Sequence, residues 1–128
     1  MKRTMRACTA LLLMFACGIA AARPVDAEAD FGAFLSRWRE AVVANDAEAI
    51  AGMAQVPFLF ESEPHDRADV ARSVVPALLT ADVRRCLRTA PPLREDDRYV
   101  LSCAPYLFCF GRVDGQWRWM EFAADGEG

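Results

Sequence analysis

RYVLSCAPYLFCFGRVDGQWRWMEFA, residues 98–123, is the stretch in which the apolar period changes from 3.6 to 2, and it decides the fold. Three strand-like runs follow one another there: Arg98–Cys103, Tyr106–Val113 and Gln116–Ala123. Asp114-Gly115 joins the last two and is a strong two-residue hairpin signal, because both central residues of a type I′ turn need positive φ. That turn predicts pairing of Val113 with Gln116, Arg112 with Trp117, Phe110 with Trp119, Cys109 with Met120 and Phe108 with Glu121. Proline cannot supply positive φ, so Ala104-Pro105 leaves the pairing of the first run open. Alternation divides the hairpin into two faces. One holds Tyr106, Phe108, Phe110, Trp117 and Trp119, and the other holds Leu107, Cys109, Val113, Met120 and Phe122. Both faces are apolar, so both call for cover, one from helices and the other from a loop, a ligand or a partner subunit.

The residues before this sheet read as helices. Phe31, Phe34, Leu35, Trp38, Ala41 and Val42 recur at helical spacing with charged residues between them, which predicts an amphipathic helix over 31–44 with Asp30 as cap. Asn45-Asp46 breaks it, and Asp46 caps a second short helix bearing Ala47, Ile50, Met53 and Ala54. Pro57 ends helical character, and Phe58 to Glu61 reads as a short strand. Asp66, with Asp69 three residues on, caps a third helix with the face Val70, Val74 and Leu78. Pro76 should kink or divide it. Thr80 caps a further segment carrying Val83, Cys86 and Leu87. The expected class is therefore α+β: an N-terminal helical hairpin and a broken third helix packed on a bent antiparallel sheet.

Lys2, Arg3 and Arg6, the apolar run Ala10 to Ala16 and the small stretch Ala20-Ala21-Ala22 follow the three-part order of a secretory signal peptide. The expected division is 1–22 signal peptide, 23–29 flexible mature N-terminus, 30–123 single domain and 124–128 disordered tail. Leu13-Met14-Phe15-Ala16-Cys17 partly resembles a lipobox, so a lipid-anchored envelope protein is the alternative to a periplasmic one. No run approaches the ~20 apolar residues of a transmembrane helix. Removal of residues 1–22 takes away three positive charges and no negative ones, moving the formal charge from −3 to −6. That balance argues against nucleic acid as a partner.

Cys86, Cys103 and Cys109 survive cleavage at Ala22, and an oxidising compartment should pair two of them. Cys109 lies too far along its strand from Cys103 for disulfide reach. Cys86, on a helix just before the sheet, with Cys103 at a strand end is the expected bridge. Cys109 is left as a thiol.

Phe34-Leu35, Trp38-Arg39, Ala41-Val42, Asn45-Asp46, Pro57-Phe58, Tyr99 to Cys103 and Asp114-Gly115-Gln116-Trp117, in this element order, resemble small exported bacterial members of the nuclear transport factor 2 superfamily. The likeness covers most of residues 30–122. It implies a cone-shaped α+β fold with a pocket between bent sheet and helices. The superfamily includes ketosteroid isomerases and polyketide cyclases as well as non-catalytic binding and dimerisation modules, so fold alone does not choose. Its catalytic members place an Asp or a His-Asp pair inside the cone, and no residue here matches such a motif by position.

His65 beside Asp66 reads as loop surface next to a helix cap. Ser36, Ser62, Ser73 and Ser102 lack a nucleophile-elbow pattern. The cysteines and His65 lack zinc-ligand spacing, and there is no glycine-rich phosphate loop, so no metal or cofactor is expected. Arg84, Arg85 and Arg88 form a short basic patch offset by Asp82 and by Glu95-Asp96-Asp97. Tyr106, Phe108, Phe110, Trp117 and Trp119 are the candidate pocket lining. The leading expectation is a non-catalytic exported domain that binds a small apolar ligand or a protein partner, with a homodimer through the sheet as one form of the latter. The rivals are a small isomerase or hydrolase using a buried carboxylate, and an inhibitor or immunity protein for an exported toxin.

Overall fold

The structure, a computed structural model, describes residues 27–124. The chain divides at Asp30/Phe31 into two units, and the core described below lies in the second, Phe31–Gly128. The expected signal peptide, residues 23–26 and the tail residues 125–128 lie outside the described residues.

Helix α1 (Ala27–Val43) begins earlier than the apolar period indicates. Ala27 and Ala29 are strong helix formers, and Glu28 and Asp30 favour the positive end of the helix dipole. Asp30 is thus a first-turn residue and not the cap, and residues 27–29 of the expected flexible segment are helical. Asn45, at φ 54°, ends the helix in the left-handed conformation that asparagine tolerates. Asp46 caps α2 (Ala47–Gly52), its Oδ1 accepting the Ala49 N–H at 3.1 Å.

A hairpin of β1 (Phe58–Phe60) and β2 (Glu63–His65) follows, with Phe58 opposite His65 and Phe60 opposite Glu63. Its turn residues Glu61 and Ser62 sit at φ 53° and 68°. Neither is a residue that signals such a turn, which is why β2 goes unread in the sequence. Asp66 caps α3 (Arg67–Asp69) as expected, accepting from the Asp69 N–H at 2.9 Å. The helix then runs through a π-helical stretch, Val70–Val74, into α4 (Val75–Leu78). Pro76 lies in the first turn of α4, where its missing N–H is least felt. The looser winding ahead of it carries the chain past the proline, with the Val75 N–H bonded back to Val70. Thr80 caps α5 (Ala81–Leu87).

The four-stranded antiparallel sheet has the order β3-β4-β5-β6, formed by β3 (Leu93–Glu95), β4 (Arg98–Cys103), β5 (Tyr106–Val113) and β6 (Gln116–Ala124). The architecture is α+β. β3 is an addition to the three runs read from sequence. It is short, all three of its residues are exposed, and its turn into β4 uses Asp96 at φ 55°. Cys103 faces Tyr106 across Ala104 and a cis Pro105, a turn class that needs no positive φ.

Asp114 and Gly115, at φ 51° and 79°, close the β5–β6 turn as expected, and the register holds from Val113↔Gln116 to Phe110↔Trp119. It then slips. Cys109 faces Glu121 and Phe108 faces Phe122, so Met120 is the extra residue of a β-bulge. This corrects the expected pairs Cys109–Met120 and Phe108–Glu121. One extra residue also reverses the alternation beyond it. Phe122 therefore joins the inner face beside Phe58, Phe60 and Tyr106.

The core lies between that inner face and the helices. Trp38 and Trp119 have no exposed surface, and their rings meet edge-on at 5.9 Å. Trp38 also meets Phe110 at 5.0 Å and Phe108 at 6.1 Å, while Phe58 packs on Trp119 at 4.6 Å. Truncation of Trp38 would empty the centre of this group, so Trp38→Ala should lose about 3–5 kcal/mol of unfolding free energy. Chemical denaturation checks this, and a loss under about 1 kcal/mol would contradict the packing described.

Candidate functional site

The sequence singled out five aromatic residues, and β5 and β6 bring them together on one face. Phe108, Phe110 and Trp119 have no accessible surface and Trp117 is 7% exposed, while Tyr106 is half-buried. A side chain without accessible surface cannot border a water-sized space, so three of the five are core and line no pocket. The reason lies in the helices. Phe31, Phe34 and Trp38 from α1 fill the volume that shorter side chains would leave open.

Trp117 and Tyr99 stand at one end of this cluster, both in contact with Phe31, at 4.9 Å and 4.1 Å between ring centres. Arg112 lies over Trp117 and Arg94 over Tyr99 at cation–π distance. Trp117 Nε1 and Tyr99 Oη are buried without a hydrogen-bond partner among the described residues, as is Trp38 Nε1. Trp119 differs, because its indole N–H reaches across the bulge to the carbonyl of Glu121 at 3.1 Å.

Cys86 and Cys103 stand at disulfide distance, with 2.02 Å between sulfurs and 5.8 Å between Cα atoms. The bridge ties α5 to the end of β4, and its formation points weakly to an oxidising location. Cys109 is a buried free thiol on the opposite face of the sheet. Burial pushes it up from its ordinary value; Arg98 works against that, and Glu121 and Glu95 add to it. A thiol held neutral in this way is a poor nucleophile.

Among the described residues three concave surfaces stand out. On the outer face of the sheet, a groove of about 450 Å³ is lined by Asp97, Arg98, Gly111, Arg112, Met120 and Glu121. Gly111 forms part of its floor: a Cβ there would stand 3.2 Å from Met120 Cγ, so the bulged methionine lies over the glycine. Arg98 and Glu121 pair at 3.2 Å across the groove. A second hollow, of about 230 Å³, joins Val43 and Ala81 to Arg84, Arg85 and Arg88. Within it Arg84 bonds the Leu79 carbonyl and Arg85 pairs with Asp82, so the basic patch is partly matched internally.

The third is an apolar depression of about 260 Å³ lined by Val56, Pro57, Pro64, His65 and Asp66. His65 departs from the expected loop surface. It ends β2, its ring meets the edge of Phe60 at 5.9 Å, and its side chain is only 21% exposed. No sequence signal marks this hollow, since it depends on the unread strand β2.

Among the described residues no group of three metal-ligating side chains comes together, and no helix is long and apolar enough to cross a membrane. No protein-family model, curated protein or solved structure matches the chain.

Peptide mapping without reduction should yield one linked pair, Cys86 with Cys103, and Cys109 should resist iodoacetamide at pH 8 until the protein unfolds. A raised thiol pKa in the folded state also fixes a sign. The stability it contributes is complete below the unfolded value of about 8.5 and falls as pH rises beyond it. Rapid alkylation of Cys109 in the folded protein would contradict its burial.

Proposed function

We propose that this chain is an exported binding domain of the nuclear transport factor 2-like kind, and that its partner is a protein recognised on the surface. One observation carries the choice against a small apolar ligand inside the fold. Phe108, Phe110 and Trp119 are packed to zero exposure by Trp38 and its neighbours, so the volume in which such a ligand would sit is occupied by side chains. Opening it would separate aromatic contacts each worth about 0.5–1.5 kcal/mol beyond their burial. Large apolar side chains do reach the surface elsewhere, with Val43 59%, Leu59 65% and, away from the hollows, Leu93 60% exposed. Val43 lines the second hollow, and Leu59 stands opposite Pro64 of the third, so a partner seated on either would take exposed apolar surface out of water.

Export rests on the three-part leader and on the Cys86–Cys103 pair. The nuclear transport factor 2-like assignment rests on element order and on the residues quoted for it above.

The test uses a photo-crosslinking amino acid placed at Val43, Leu59 or Met120 in the exported protein of producing cells. The expected result is a discrete covalent adduct with one protein at one of these positions, on a chain starting near Arg23. A folded protein that instead takes up an apolar fluorophore stoichiometrically, with quenching of its buried tryptophans, would overturn the reading. So would an adduct pattern indistinguishable from that of a control position at Glu48, an exposed residue of α2 away from the hollows.

A further inference from the structure

We propose that the depression lined by Val56, Pro57, Pro64, His65 and Asp66 is a docking site for a protein segment that inserts one apolar side chain flanked by basic residues; this rests on the reading that the partner is a protein. Size is the first argument. At about 260 Å³ the hollow falls below the roughly 300–1,000 Å³ of small-molecule pockets, and so suits one side chain better than a whole ligand.

The walls are the second argument. Two of the five are prolines, which lose no rotamer entropy when covered, so this apolar surface is preorganised. Leu59 stands directly opposite Pro64 in the β1–β2 hairpin and therefore shares its face, extending the apolar surface beyond the hollow. Among the described residues it is the most exposed large apolar side chain. The hairpin that presents them is held by a turn with two successive non-glycine residues at positive φ, Glu61 and Ser62. Backbone strain of this kind persists where the surroundings enforce it and clusters at functional sites.

Charge is the third argument. Asp66 lies in the wall, and Glu61, Glu63 and Asp69 flank the hollow in sequence; Asp69 and Arg72 answer each other, which leaves Glu61, Glu63 and Asp66 against Arg67. The surplus is negative and selects a basic segment. One wall is also incompletely satisfied. Among the described residues His65 Nδ1, shut off from solvent, has no hydrogen-bond partner, and the carboxylate oxygen Asp69 Oδ2 is 3.8 Å away. A small shift of the ring as the hollow fills would complete that bond. The groove on the sheet's outer face makes a weaker case, because Arg98 and Glu121 already answer each other across it.

The test is an NMR titration of the folded mature protein with three capped pentapeptides: leucine flanked by arginines, alanine flanked by arginines, and leucine flanked by glutamates. The first should shift the amide signals of Leu59, His65 and Asp66 saturably, with affinity falling as salt rises. The other two should bind about tenfold more weakly or less. Leu59→Ser and Glu63→Lys alter exposed side chains and leave the fold intact, and each should weaken the first peptide about fivefold or more. Shifts confined to Arg98, Gly111 and Met120 would overturn this site while leaving a protein partner in place. Lack of any saturable shift with the first peptide would overturn it as well. Shifts at Trp38, Phe108 and Trp119 would instead count against the surface-binding reading itself.

Discussion

Trp119 is the residue on which the rest of the structure depends. Its backbone belongs to β6 and faces Phe110 of β5, yet on its other side its N–H donates to the Met53 carbonyl and its own carbonyl accepts from Gln55. The segment after α2 is thereby tied to the edge of the sheet. Its ring closes the core against Trp38, Phe58 and Phe108, and its indole N–H is bonded across the bulge to Glu121. Sheet, helical hairpin and bulge thus meet at one fully buried side chain. The extra residue that follows it, Met120, turns Phe122 inward onto Phe58 and completes the inner face.

Filling of the interior follows from this. Aromatic residues enter the same volume from α1, β1, β5 and β6, and edge-on contacts between 5 and 6 Å let them interlock. An interior packed in this way leaves the concave features to the surface, where the hairpin β1–β2, the outer sheet face and α5 each present a shallow hollow, and the proposed protein partner would be met there. The disulfide fixes the last of these elements to the sheet by linking cysteines at a sequence separation of 17, worth on the order of 3 kcal/mol in the chain-entropy picture.

Where local chemistry decided the structure, the sequence was legible. Asp46, Asp66 and Thr80 cap the helices they precede, Asp114-Gly115 makes its turn, and the reach of a disulfide selects Cys86 and Cys103. Where tertiary packing decided it, the sequence was silent. Glu61, Ser62 and Asp96 adopt positive φ without being glycine, so the strands they serve were hidden. No glycine marks the bulge at Met120, and one unmarked residue was enough to misplace Phe122. For the candidate site, the grouping of Phe108, Phe110, Trp117 and Trp119 on one face could be read from alternation. Whether that face is lining or core depends on how deeply α1 presses into it, and periodicity contains no depth. The hollow beside His65 needs β2 for one wall and so was beyond reach.

Amide hydrogen exchange tests most directly whether Trp119 closes a solid interior. If it does, the amides of Trp119, Phe108, Phe110 and Leu101 belong to one set that exchanges only through global unfolding, although β6 is the outermost strand of the sheet. Exchange at Trp119 orders of magnitude faster than at Leu101 would mean that the bulged edge opens on its own, and the account of a filled interior with recognition left to the surface would fail.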